Sequence, residues 1–259
     1  MGALEFRNIL AQKKLLISMP EALILGAISP AAWTVVVSFG ITGNIVPGAF
    51  ILGATWLLIS WIFSNPKGTA VSDHLTSGQR DSPPDKIELY LGRTTAGFAI
   101  MIYPGLFFAW VIQMAVFKYA GYVIFIFLFA TFLNDGAAWA AGNLFGKNNR
   151  GFISVSPKKS IAGFAGGIII SIITGISAVL LFPEAFTSDI MPSIPAGAIL
   201  GFFTGMAAIL GDLGESALKR SAGIKDSGSL ILGRGGALDS VDSLLLAAPV
   251  YYVLYRVFF

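Results

Sequence analysis

Cysteine is absent from the 259 residues, and histidine occurs once, at His74. Disulfides, thiolate metal sites and cysteine nucleophiles are thereby excluded, so any metal has to be held by oxygen. Charge is scarce as well: Asp, Glu, Lys and Arg together make 12% of the chain, against 55% hydrophobic residues, 21 Phe and a mean hydropathy of +0.77. A composition this poor in charge describes an all-α protein, a polytopic integral membrane helical bundle. No cleavable leader is expected, because the first apolar run continues far past the length of one and lacks a small-residue cleavage site.

Apolar windows predict spans near residues 45–63, 94–117, 119–133 with some extension, 161–182, 194–210 and 243–259. Residues 15–39 are a seventh candidate. They contain Glu21 and Pro30, so they form either one span or two shorter helices broken at Ser29-Pro30. The expected count is therefore about seven to nine transmembrane helices. The chain divides into N-terminal helices, 1–133, with a polar loop at 64–93, and a C-terminal part, 134–259, that carries both charged motifs. The polar loop has Pro83-Pro84 and scattered Gly and Ser, and is too short for a domain. His74 lies in it with no second ligand nearby, and is given no role.

Basic residues set the orientation. With the N-terminus inside, Arg7, Lys13 and Lys14 share a side with the bases of 64–93, of the loop around Lys147 to Lys159, and of the segment around Lys219 to Arg234; of the 17 Lys and Arg only Lys118 and Arg256 fall elsewhere. The positive-inside rule then turns these loops to the cytoplasm, with a cell inner membrane as the expected location. The net charge of +3 and pI near 9.1 do not imply nucleic acid, since the bases are spread over membrane-surface loops without an aromatic platform. Anionic lipid headgroups explain them better.

Charge at a membrane is costly, and residues 211–243 concentrate it: Asp212, Glu215, Asp226, Asp239 and Asp242 with Lys219, Arg220, Lys225 and Arg234. Asp212, Glu215, Ser216 and Lys219 stand at i, i+3, i+4 and i+7, one stripe of a helix that can hold a divalent cation beside a phosphate. A second charged segment, 134–167, follows an apolar span. Asp135, expected at or just inside the end of that span, is either a boundary acid in water or part of a site. Ser156-Pro157 is expected to precede a helix immediately, whose free N–H groups beside Lys158 and Lys159 would suit a phosphate; the alternative for the lysines is membrane anchoring. Gly163, Gly166 and Gly167 would admit a neighbouring helix or a lipid headgroup.

At these two segments the chain resembles the phosphatidate cytidylyltransferase (CDP-diacylglycerol synthase) family. The family's C-terminal signature is met by Ser216, Lys219, Arg220, Lys225, Asp226, Ser227, Gly228, Gly233, Gly235, Gly236, Leu238, Asp239 and Asp242 with spacing intact. Its upstream pattern is met by Asp135, Ala138, Trp139, Gly142, Phe145, Gly146, Lys147, Ser156, Pro157, Lys158, Lys159 and Ser160. The resemblance covers roughly the C-terminal half; before that, only hydropathy is shared. It departs at Arg234, where the family has histidine, at Ser240, where it has arginine, and at Ala162, where glutamate is common. Arg234 keeps a cation for phosphate but cannot exchange protons near neutral pH.

The resemblance implies transfer of the cytidylyl group of CTP to phosphatidic acid, giving CDP-diacylglycerol and pyrophosphate for phospholipid biosynthesis. Such chemistry needs charge neutralisation and in-line positioning, which oxygen-bound Mg²⁺ supplies; K⁺ is a candidate second cation. Asp135, Asp212, Glu215, Asp239 and Asp242 form the expected pool of metal ligands, some of them indirect. Asp135, Asp212, Lys219 and Asp239 are the expected catalytic residues. Lys158, Lys159, Ser216, Arg220, Lys225, Asp226 and Arg234 are the expected substrate-binding set. CTP, phosphatidic acid and membrane lipid are the expected partners, and glycine-rich spans make a homodimer a candidate. Two other readings stay open. One is a CTP-dependent enzyme on another lipid, such as a polyprenol-like alcohol, or an inactive lipid-binding relative. The other is a transporter, disfavoured because the charges cluster at one face rather than at span centres.

Overall fold

The computed structural model describes residues 1–41, 45–63, 86–228 and 235–259. His74 and Arg234, with most of the predicted polar loop, lie outside the described residues. The described part is all helical. α1 (Gly2–Ala11) is short; α2 (Met19–Phe39), α3 (Ile45–Phe63), α4 (Lys86–Ile100) and α5 (Phe107–Gln113) follow, then α6 (Ala120–Phe145), α7 (Ile161–Leu181), α8 (Ser193–Ser221) and α9 (Ala237–Phe258). Among the described residues six helical stretches are long and apolar enough to cross a membrane, and Ile45–Ser60 is a shorter apolar helix. The protein is an integral membrane protein, and the count agrees with the sequence expectation.

Local sequence explains where the helices begin and bend. Ser18 caps α2 by accepting the Glu21 N–H at 3.4 Å, and Gly40 ends the helix in the left-handed conformation at φ 61°. α2 runs unbroken through Pro30, which resolves the two alternatives for residues 15–39 in favour of one helix. Proline is tolerated there because a membrane-embedded helix packed on its neighbours keeps its remaining backbone bonds. Between α4 and α5 the chain continues through a π-helical turn, Met101–Leu106, that contains Pro104; the wider turn accommodates the missing donor. α4 already starts at Lys86, so residues 86–93, read from sequence as loop, are helical.

Two further boundaries differ from the sequence expectation. α6 does not end near Asp135 but continues to Phe145, so Asp135 lies well inside the helix. α7 starts at Ile161 and not directly after Ser156-Pro157. Its cap is Ser160, whose hydroxyl accepts the Gly163 N–H at 3.1 Å, and Arg150 pairs back to Ser160 in an isolated bridge. Proline fixed the turn, but the serine with a free hydroxyl three residues before an available N–H won the cap.

The C-terminal helices pack through small residues. A side chain at Gly201 would run into the Ser171 carbonyl, and one at Gly197 or Gly175 into the other's backbone, so α7 and α8 touch backbone to backbone. Gly163 and Gly166 meet the carbonyls of Ala138 and Ala137, and Gly167 meets the Asn134 side chain, so these glycines admit a helix, α6. α9 is held by buried polar bonds: the Tyr251 hydroxyl donates to the Val123 carbonyl at 3.1 Å, and that of Tyr255 to the Ala185 carbonyl at 2.7 Å. The N-terminal helices close on α9 through Phe6, Leu25, Leu57, Ile100, Met101, Leu238 and Leu245.

Length places the charges. At 1.5 Å per residue α8 is about 43 Å long, well beyond a hydrocarbon core of about 30 Å. Its charged residues, Asp212 to Arg220, all lie in its last turns, after the apolar run of residues 193–210.

Candidate active site

A cavity of about 1040 Å³ opens among α6, the 150–160 segment, the start of α7, the end of α8 and the start of α9. Its lining holds the carboxylates of Asp135, Asp212, Asp226, Asp239 and Asp242 beside the cations of Arg150, Lys158, Lys159 and Lys219. Segments 53 residues apart in sequence meet where Lys159 donates to Asp212 at 2.5 Å. The close α6–α7–α8 packing is what permits this. A helix pushed away by one side chain would separate the pair.

Lys219 sits between two acids of different elements. It ion-pairs with Glu215, one turn earlier on α8, and with Asp239 of α9 at 2.5 Å. Glu215 is fully buried and lies behind the cavity, outside its lining. Asp239 also accepts the N–H groups of Ser227 at 2.9 Å and Gly236 at 2.7 Å, capping α9 while fixing the loop before it. Asp242 and Asp135 share one hydroxyl: Ser243 Oγ stands 3.3 Å from Asp242 Oδ1 and 3.2 Å from Asp135 Oδ2. Asp212 and Asp135 both add repulsion at Asp242.

Of the residues expected from sequence, Asp135, Lys158, Lys159, Asp212, Lys219, Asp226, Asp239 and Asp242 come together around the cavity. Ser216, Arg220 and Lys225 do not line it; Arg220 and Lys225 face outward, exposed. Sequence reasoning missed Asn134, Arg150, Ser243 and Glu5. Asn134 is buried beside Asp135 and donates to Ser171 Oγ at 3.0 Å, tying α6 to α7. Arg150 donates to the Gly142 carbonyl at 3.0 Å, holding the loop against α6. Both lie in the charged segment 134–167, where polarity beside an apolar run was the available signal. Glu5 had no such signal.

Among the described residues no three acidic side chains converge into a ready cage for a metal ion. The donor chemistry nevertheless suits a hard cation: Asp135, Asp212 and Asp242 are oxygen donors in the cavity lining, and Asp135 and Asp212 both repel Asp242.

The profile of the cytidylyltransferase family matches residues 1–258. The chain belongs to this family. It is similar to the phosphatidate cytidylyltransferase of Aquifex aeolicus, at 33% identity over 156 residues, covering 60% of this chain and 54% of that protein. It is 39% identical to the phosphatidate cytidylyltransferase of Staphylococcus haemolyticus over 133 residues, 51% of this chain and 48% of that one. For the enzyme of that name from Mycobacterium tuberculosis the figures are 38% over 131 residues, 51% and 38%. The chain spans about half the length of the curated relatives it matches. Family membership rests on the whole chain, and the named relatives on a part of it.

Proposed function

We propose that the chain transfers the cytidylyl group of CTP to phosphatidic acid, releasing pyrophosphate and leaving CDP-diacylglycerol in the membrane. The observation that carries this is the cavity at the end of the apolar helices, lined by carboxylates and lysines from α6, the 150–160 segment, α8, the loop at Asp226 and α9. One oxygen of the lipid phosphate attacks the α-phosphorus of CTP; a P–O bond forms there as the bond to pyrophosphate breaks. No serine or cysteine intermediate is required, because the acceptor phosphate is already a nucleophile.

The chain's own residues supply positioning and positive charge. Lys159, held by Asp212, and Lys158 at the rim face the anionic groups of the two substrates. Lys219, fixed between Glu215 and Asp239, keeps two helices in register so that the α8 and α9 carboxylates stay in the cavity lining. Asp135, Asp212 and Asp242 would hold Mg²⁺. Bound there, Mg²⁺ supplies neutralisation of the triphosphate and Lewis-acid stabilisation of charge at the reacting phosphorus. The positive-inside pattern supports a cytoplasmic face for the cavity and an inner membrane as its location.

A second reading is favoured by the departures at Arg234, Ser240 and Ala162: a CTP-dependent phosphoryl transfer to a lipid alcohol. Ser240 lines the cavity. CTP labelled at either the α- or the γ-phosphate, given to purified protein with phosphatidic acid or a polyprenol, separates the two. Under the proposal only α-label enters lipid, and only with phosphatidic acid; γ-label in a polyprenol phosphate would overturn it.

A further inference from the structure

The short helix α1 reaches the candidate active site from the N-terminal half, through one side chain. Glu5 accepts the N–H of Leu238 at 2.7 Å, the N–H of Ala237 at 2.9 Å and the hydroxyl of Ser227 at 3.2 Å. Ala237 and Leu238 are the first two residues of α9, whose unpaired N–H groups and positive dipole end favour a carboxylate. Asp239 accepts the N–H of Gly236, the residue that precedes α9, and that of Ser227 in the loop before it. Two carboxylates, one from each half of the chain, thus hold the start of α9 between them, and both bind Ser227.

The signature glycines are shaped to this contact. A Cβ at Gly228 would lie 2.9 Å from Glu5 Oε1, and one at Gly236 would lie 2.6 Å from Glu5 Oε2. A side chain at either position would displace the carboxylate. Phe6, Ile9 and Leu10 are buried on the same helix, and the Phe6 ring stands 5.2 Å from that of Tyr103, so α1 is docked by packing independently of Glu5.

We propose that Glu5 is a positioning residue for the reaction: it holds the Ser227 loop and the first turn of α9 so that Asp239 presents its carboxylate to the cavity and to Lys219. This rests on the proposed cytidylyl transfer only for its kinetic readout. Glu5 does not line the cavity, and removing its charge therefore acts on turnover more than on affinity.

The test combines kinetics with a stability cycle. Glu5→Gln should keep the wild-type melting temperature within a few degrees while kcat falls about 10- to 100-fold, with KM for CTP changed by less than about threefold. Wild-type kcat in Glu5→Gln would overturn the proposal, as would a loss of activity that only tracks loss of folded protein, the behaviour expected of Phe6→Ala. Separately, Gly228→Ala should lower the melting temperature in the wild-type background and do so much less in a Glu5→Ala background, because the clashing carboxylate is gone. Additive effects would overturn it. If the wild-type protein makes no CDP-linked lipid at all, the activity reading fails, and this cycle alone decides the role of Glu5.

Discussion

Replacing Lys219 by Met is the most informative perturbation of the interior. The methionine keeps most of the volume and removes the ammonium, which stands between Glu215, whose side chain is 0% exposed, and Asp239, whose side chain is 6% exposed. Asp239 keeps its two backbone N–H donors, so its charge remains partly solvated by the protein. Neither Glu215 oxygen accepts a backbone N–H, so Lys219 is the cation that compensates its buried carboxylate. Breaking a buried pair on one side costs about 3–5 kcal/mol, because a charge is left without compensation. For a protein of this size that is a fall of about 6–20 °C in melting temperature, at about 2–4 °C per kcal/mol, read by thermal unfolding in detergent. The double variant Lys219→Met, Glu215→Gln removes the stranded charge and should recover more than half of the loss. An unchanged melting temperature in Lys219→Met, or a double variant no better than the single, would refute the reasoning.

Other predictions follow from the packing and from the charge pattern. Gly201→Leu should prevent α7 and α8 from touching and lower the yield of folded protein severely, whereas Gly136→Ala, with nothing within 4 Å of the added carbon, should be neutral by the same size-exclusion and melting measurements. Single cysteines at Asn148 and Ser221, in this cysteine-free chain, should react with an impermeant maleimide only from the cytoplasmic side; labelling in intact cells from outside would invert the topology.

The helices were legible because long apolar runs admit few structures in lipid, and six of them were found where hydropathy placed them. Their ends were not. Asp135 looked like a boundary residue because polarity begins there, but a helix packed through glycines and alanines can carry a carboxylate several turns further when a cavity receives it. The α8 stripe was readable as periodicity, yet only packing separates Asp212, which faces the cavity, from Glu215, which turns behind it to Lys219. Arg220 and Lys225 belong to the same signature but point outward, so shared spacing did not imply a shared wall. Glu5 was invisible for a different reason: its partners are 222 and more residues away, and a lone glutamate on a short amphipathic helix has no local signal.

The central claim is that the cavity at the ends of α6, α8 and α9 is where CTP and phosphatidic acid react. The most direct measurement is incorporation of α-labelled CTP into lipid by purified wild-type and Asp212→Asn protein, each with Mg²⁺ and with excess chelator. Asp212→Asn removes the partner of Lys159 and one cavity carboxylate with little change in volume, so it should assemble normally. The account predicts label in CDP-diacylglycerol for the wild type with Mg²⁺, and turnover lower by about 100-fold or more both in the variant and under chelation, the order expected when charge stabilisation worth several kcal/mol is lost. Wild-type turnover in Asp212→Asn, or full activity in excess chelator, would contradict it.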